Sequence, residues 1–450
     1  MENIYYSVYD NIIEFTKLCK ITSAFHISIS HIHFREYRYT CHEPNIAGND
    51  FMLTRFTNIQ SLPIWCSLHI TILRKLTSLK HIQCNNHRKL EITHLKLFTR
   101  LETLRRCYFP IEEIYRLQSL QILEIHEQDG IFDIESLPLL KSLSLIRCNV
   151  TMMQTKPKHK FFIHLRIHSS KIVLDDDVNC IDSLFMELGM LGQESNISRI
   201  PNSLTKIKSE IKLDHLIDRG LLSVLPNLIS FHCPIYGANV ISGRINLMTR
   251  LEKLNSQNIS HMNETFCLTR LTQWKSDYIH VTFLKYLSDI RKLNFNRLIY
   301  DGLEKPINPI NLCSKLNHLC IHSNQYYTLF NLHKLNLLTH LTLEFDKNNT
   351  VLIQASTYIN MIRMLTNLKE LSTNMYRDID IRYFTRLSLQ TINVYSLIDY
   401  EDSRTLESFT DLKVLYFRRS NVTKLNLLRL PRLKCFSGTI KGKILKPHWL

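Results

Sequence analysis

Apolar residues recur along this chain in one short phrase. A bulky apolar residue is followed by two variable positions and then by Leu or Ile, with further apolar residues three and five positions on. The phrase reads FTRLETL, LQSLQIL and LPLLKSL early in the chain, LPNLISF, MTRLEKL and LTRLTQW in its middle, and LTNLKEL, FTDLKVL and LPRLKCF towards its end. Taken as an anchor, its fourth residue falls at Leu18, Ile59, Leu79, Leu101, Leu120 and Leu140. The series resumes at Leu228, Leu251, Leu271, Ile290, Leu316, Leu338, Leu368, Leu389, Leu412 and Leu433. Steps from Ile59 to Leu140 are 20, 22, 19 and 20 residues. Phe162, Phe185 and Leu204 fit between the two series as degenerate anchors.

In each unit the alternating LxL places two apolar side chains on one face of a short strand, because alternate strand residues point the same way. A single unit cannot cover those residues by itself. Burial comes from stacking neighbours, which makes the period a signature of a solenoid of about twenty coils. Residues 1–50 match the pattern less well and read as an N-terminal cap with degenerate repeats, MENIYYSVYDNIIEF being a capping helix; residues 51–450 read as the solenoid. Two units are long. The one from Leu338 to Leu368 carries TYINMIRMLTNL, whose apolar spacing predicts an amphipathic helix, and the one from Ile290 to Leu316 carries KPINPIN, which predicts a loop.

The best units, LQSLQILEIHEQDGIFDIESL and LKVLYFRRSNVTKLNLLRL, resemble the leucine-rich repeat family, whose core is LxxLxLxx followed by Asn or Cys, in its short type of about 22 residues. The resemblance covers residues 51–450. It implies an α/β fold in which short parallel strands line a curved, concave sheet and the convex side is irregular or helical. The Asn/Cys slot, eight residues past the anchor, holds Cys148, Asn324 and Ser420 in some units but Gln128 or Asp346 in others, so its hydrogen-bonded ladder is expected to be incomplete.

The same register assigns the residues two, four and six past each anchor to the outward strand face. Candidate partner-binding residues there are His81, Gln83, Arg105, His126, Lys253, Asn255, Gln273, Lys275, Lys292, Asn294, His318, His322, Tyr416 and Arg418. What the resemblance implies for this face is capture of a partner protein. His318, Cys320 and His322 alternate on one strand, but side chains two apart lie ~7 Å apart and do not close a zinc site. The cluster of His26, His31, His33, Cys41 and His42 has no standard zinc spacing, and Asp175, Asp176 and Asp177 lack the glycine and glutamate of a calcium loop. Cys84 and Cys233 fall on inward positions and read as core.

Composition then narrows the function classes. Gly and Pro number 10 and 12 of 450 residues, less than half the ~12% usual for soluble chains. That argues against enzymes built on Gly-rich phosphate loops, and no nucleotide, metalloprotease or nucleophile-elbow motif is present. No catalytic, cofactor or metal site is expected. The twelve cysteines contain no CxxC pair, which suggests neither a zinc ribbon nor a disulfide scaffold. The N-terminus lacks a secretory pattern, so an intracellular, cytoplasmic protein is expected, and the Ile-, Asn- and Lys-rich composition suggests an AT-rich genome such as that of an amoebal protist or a large virus. The net charge of +16 concentrates in residues 404–450 and 74–116. A basic C-terminal end carrying Arg429, Arg432, Lys441 and Lys443 is the second candidate surface, with nucleic acid or an anionic surface as its partner; the plainer reading is a charged solenoid cap.

Overall fold

The computed structural model describes residues 6–8, 32–34, 60–64, 78–84, 97–107, 109, 111–154, 163–187, 196–210, 225–233, 248–259, 268–299, 309–322, 332–344, 355–398, 405–420, 430–440 and 443–449. The chain divides into two compact units, residues 1–211 and 212–450. In the first, strands Ser61–Ile64, His81–Cys84, Thr103–Cys107, Ile122–His126, Ser142–Ile146, Ile163–His168, Ile181–Glu187 and Lys206–Ser209 pair in parallel, each with the next. In the second, the parallel series runs through Ser230–Cys233, Lys253–Ile259, Gln273–His280, Lys292–Ile299, His318–Ile321, His340–Leu343, Glu370–Asp380, Thr391–Ile398, Val414–Ser420 and Cys435–Ile440.

One local device recurs in most of the described coils. The N–H of the anchor residue donates to the carbonyl three residues earlier, as in Leu101 to Phe98 (3.1 Å), Leu120 to Leu117 (3.0 Å), Leu271 to Leu268 (3.1 Å) and Leu368 to Leu365 (2.9 Å). Both ends of this turn are apolar and buried, while its two middle residues face water, so the turn is held by burial as much as by its hydrogen bond. The next two N–H groups then share one carbonyl of the preceding coil. Arg291 and Lys292 both donate to Thr272 (2.8 and 3.0 Å), and Asn317 and His318 both donate to Arg291 (2.9 and 3.0 Å). None of these turns has a residue with positive φ, so none needs glycine. That is the physical origin of the low glycine count.

Residues three and five past the anchor point inward. Leu293 and Phe295, Leu341 and Leu343, and Leu123 and Ile125 are all buried. In several coils the second inward slot holds a small polar residue instead, namely Ser209, Ser256, Ser276 and Thr373, each still buried. Ser276 satisfies its hydroxyl by donating to the Tyr278 carbonyl at 2.8 Å. The expected anchor Phe185 is corrected here. Ile181, fully buried, occupies the anchor slot, and Leu184 and Met186 pair with Leu165 and Ile167. Phe185 therefore points outward, because a strand residue between two inward ones must.

In the first unit the return path is itself a sheet. Strands Asp129–Asp133, Asn149–Met153, Lys171–Leu174 and Asn196–Ile197 pair in parallel. The chain reaches it through a left-handed residue at the same place in three successive coils: Glu127 (φ 48°), Arg147 (φ 54°) and Ser169 (φ 49°). The Asn/Cys slot follows directly. Cys148 and Ser170 are buried in it; Ser170 Oγ accepts from the Cys148 N–H (2.9 Å) and donates to the Leu145 carbonyl (3.0 Å), and Cys148 Sγ lies 3.5 Å from the Ile125 carbonyl. Gln128 Nε2 donates to the Phe109 carbonyl at 2.5 Å. The ladder expected to be incomplete is thus carried, over these coils, by Gln, Cys and Ser.

Of the irregular or helical back implied by the family resemblance, the described residues show little helix. Their α-helices are α1 (Ile111–Ile114), α2 (Val281–Leu284) and α3 (Ala355–Ile362), and most other returns are single 3-10 turns such as Leu332–Lys334 and Ile381–Phe384. A coil of about twenty residues leaves too few for a stable helix once strand and turn are formed. The two-turn helix α3 sits in the long Leu338–Leu368 unit and overlaps the first half of the segment whose spacing predicts it, starting two residues earlier. Pro309–Leu312, at the end of KPINPIN, is a 3-10 turn. Tyr6–Val8 is a strand paired with Ile32–Phe34, which corrects the expected capping helix at those residues. The Leu18, Ile59 and Phe162 anchors, Asn324, Asp346 and the side chains of the His26–His42 cluster and of Cys84 lie outside the described residues.

Among the described residues no helix is long and apolar enough to cross a membrane. The second unit ends in a strand of opposite sense, Lys443–Trp449, antiparallel to Cys435–Ile440. Gly438 is required there, since a Cβ would lie 2.5 Å from the Phe417 carbonyl oxygen.

The left-handed slots give a direct stability test. A non-glycine residue held there costs roughly 1–2 kcal/mol, partly offset in glycine by its larger unfolded-state entropy. Ser169→Gly is expected to leave stability unchanged or raise it by up to about 1 kcal/mol, and Ser169→Val to lower it by about 1–2 kcal/mol. Urea-unfolding midpoints check the order; a Val variant as stable as the Gly variant would contradict the assignment.

Candidate functional site

The outward face carries what the inward face excludes. In the first unit His81 is half-buried and Gln83 and Arg105 are exposed, and Gln83 pairs with Arg105 in register. His126 Nε2 meets Glu124 Oε1 at 2.7 Å. Further along the same face Arg166 grips Glu187 with two hydrogen bonds (3.1 and 2.5 Å), and His168 lies 3.3 Å from the same carboxylate. Phe185, turned outward, has Lys208 Nζ 4.3 Å and the Arg166 guanidinium 5.3 Å from its ring centroid. This aromatic-cation group was hidden by the misplaced anchor; starting from Ile181, the two-four-six rule finds Ser183, Phe185 and Glu187.

In the second unit the rule produces rows that cross the strands in register. The first row is Lys253, Gln273, Lys292, His318, His340 and Glu370, and continues through Thr391 and Val414. The second is Asn255, Lys275, Asn294, Cys320, Thr342, Ser372, Asn393 and Tyr416. Lys253, Lys275 and Lys292 are exposed. Asn255 Nδ2 lies 2.8 Å from His232 Nδ1, and Asn296 donates to Asp277 at 2.8 Å. His340, Glu344 and Glu370 belong to this face as well. His340 and Glu344 stand two and six residues past Leu338, so the rule that named the other candidates reaches them.

Histidines occupy the middle of the rows. The His318 and His340 rings stack at 5.3 Å between centroids, and His340 Nε2 lies 3.4 Å from Glu370. Burial, then the neighbouring His340 and Lys292 charges, push the His318 pKa below its ordinary value, against a smaller opposing pull from Glu370. His322 bridges Cys320 Sγ (3.1 Å) and Glu344 Oε2 (2.7 Å). Cys320, expected on the outward face, is buried; Thr342 and Asn294 stand on either side of it in register. Burial and the Glu344 charge push its thiol up to about 11, and burial pushes Cys313 up to about 12, so neither is a thiolate at neutral pH. Among the described residues no group of His, Cys, Asp or Glu is arranged to hold a metal ion.

Beyond Glu344 the face opens into a groove of about 420 Å3 lined by Ser372, Asn393, Tyr395, Tyr416, Arg418 and Ser437, among others. Asn393 donates to Ser372 at 3.1 Å, Tyr416 Oη lies 3.4 Å from Cys435 Sγ, and Arg418 stacks over Tyr395 at 5.8 Å. Tyr416 and Arg418, two of the expected contact residues, are thus brought together, with Tyr395 between them unforeseen. Of the expected basic end, Arg432 is exposed and bonds Asp411 at 2.5 Å. Lys443 lies in the final antiparallel strand, and Arg429 and Lys441 lie outside the described residues.

No family model and no curated protein matches the chain. Solved structures do. The TLR13–ssRNA13 complex aligns with a TM-score of 0.51 at 16% identity, over 87% of this chain and 62% of that one. A Leptospira interrogans LRR protein aligns at 0.42 and 13%, over 88% and 99%, and the mouse RP105/MD-1 complex at 0.47 and 15%, over 87% and 80%. At these identities the likeness shows the fold alone: a parallel-strand solenoid of the leucine-rich-repeat kind.

The depressed pKa of His318 has a consequence for stability. The folded chain binds fewer protons at this site than the unfolded chain, so acidification costs stability. The loss begins as pH falls to about the ordinary imidazole value of 6.5 and is complete below the folded pKa. His318→Asn is expected to flatten the fall in urea midpoint between pH 7.5 and 5; an unchanged pH profile would contradict it.

Proposed function

We propose that this chain is a non-enzymatic scaffold that binds a partner protein on its outward strand face. The observation that carries the reading is the in-register array from Lys253 to Tyr416. Eight successive strands present polar, aromatic and charged side chains on one side while their alternate residues close the core. A rigid backbone holds these groups in place before any partner arrives, which limits the ordering entropy of association. Tyr395, Tyr416 and Arg418 lining a groove supply the residue types that dominate binding energy at protein interfaces.

Site-specific photo-crosslinking tests the proposal. A benzoylphenylalanine at Lys275 or Asn294 is expected to give one discrete protein adduct in cell extract, reproduced at Tyr416. The same group at the turn residues Arg250 and Lys334 should give none. Adducts of equal pattern at face and turn positions, or nucleic acid as the adduct, would overturn it.

A further inference from the structure

The charges on the second unit's face are ordered, and the order specifies its partner. Lys253 and Lys292 flank Gln273 in one row, and Lys275 stands between Asn255 and Asn294 in the next. With strands about 4.8 Å apart and alternate residues ~7 Å apart, the three ammonium stems arise within roughly 8–10 Å of one another, about one Debye length at physiological salt. None of the three has a carboxylate within ion-pair distance among the described residues, whereas Glu344 and Glu370, further along the same face, are engaged by His322 and His340. Three like charges that close together repel each other, offset only in part by Asp277 two residues past Lys275, and folding gains little from the arrangement. An anionic ligand relieves it.

Anything anionic meets the lysines favourably; the continuation of the rows selects among anions. Three strands beyond Lys292 stands Glu370, about 14 Å away at strand spacing, with the imidazoles of His318 and His340 between them in the row and Glu344 further along the same face. A uniform polyanion such as single-stranded nucleic acid, laid along the rows, runs from the lysines onto these carboxylates. A short acidic stretch of polypeptide that ends or turns basic within that span does not. We propose that the face docks an acidic segment of a partner protein, its carboxylates over Lys253, Lys275 and Lys292 and hydrogen-bonded by the amides of Gln273, Asn255 and Asn294. This rests on the strand face being the docking surface and adds the chemistry of what docks there.

The probes are a fluorescent octaglutamate peptide and an octauridine oligonucleotide, titrated by anisotropy at low and physiological salt. Octaglutamate is expected to bind with salt-sensitive affinity and to bind more tightly than octauridine. Lys253→Glu, Lys275→Glu and Lys292→Glu together should weaken the peptide by about tenfold or more, since each reversal replaces an attraction with a repulsion of similar size. Lys334→Glu, Arg363→Glu and Arg386→Glu together make the same change in net charge at exposed turn positions of later coils, and should alter affinity by less than about twofold at physiological salt, where distant charges are screened. Melting temperatures of both variants close to that of the parent show that the comparison is between folded chains. Equal losses in the two variants, no peptide binding to the parent, or octauridine bound as tightly as the peptide and lost with the same three lysines would each overturn the assignment. Crosslinks at Lys275 and Asn294 would still report whether the face binds protein at all.

Discussion

Each coil has two inward side chains on its strand and one at each end of its turn, and it cannot cover them. Leu293 and Phe295 are buried only because neighbouring coils supply Trp274 on one side and Leu319 and Ile321 on the other. Every other regularity follows from this dependence. Stacking at a fixed spacing lets two N–H groups share one carbonyl of the coil before, and that bond fixes the register. Register in turn places residues two, four and six past each anchor in rows. The recognition face is therefore a by-product of how the core is closed, and its side chains are free to vary without disturbing the fold.

That freedom explains the division of labour among residue types. Inward slots accept Leu, Ile, Phe, Trp and, at the second position, Ser or Thr, and buried cysteines fill small spaces without reactivity. Outward slots carry lysine, histidine, asparagine and glutamate in a sequence that changes from coil to coil. Because the backbone is common to all coils, the change in side chains alone creates a cationic stretch, a histidine stretch and an acidic stretch across one sheet. Electrostatic patterns of this kind favour encounter and orientation more than raw affinity, and the tyrosines and arginine of the groove supply apolar and stacking contacts that the charged rows lack.

Much of this was legible in the chain itself. The anchors and the LxL alternation gave the parallel strands, and with them the placement of Lys253, Gln273, Lys275, Lys292, Asn294, Tyr416 and Arg418 on the outward face. What failed did so for local reasons. Phe185 looked like an anchor because it is bulky and correctly spaced, yet the inward pair is Leu184 and Met186, in register with Leu165 and Ile167, and Ile181, three residues before Leu184, takes the slot. The back of the coils read as irregular or helical by analogy; units of about twenty residues leave room for a single turn of α- or 3-10 helix or, after the left-handed residues Glu127, Arg147 and Ser169, a second strand. Pairings such as His318 with His340, or His322 with Glu344, join coils more than twenty residues apart and depend on side-chain rotamers, which no periodicity encodes.

The central claim is that one alternation both closes the core and builds the face. A cysteine scan across Lys292, Leu293, Asn294, Phe295 and Asn296, read as labelling rate above the parent chain under native conditions, tests it most directly. The account predicts fast labelling at 292, 294 and 296 and protection at 293 and 295. Uniform labelling, or the opposite phase, would contradict it.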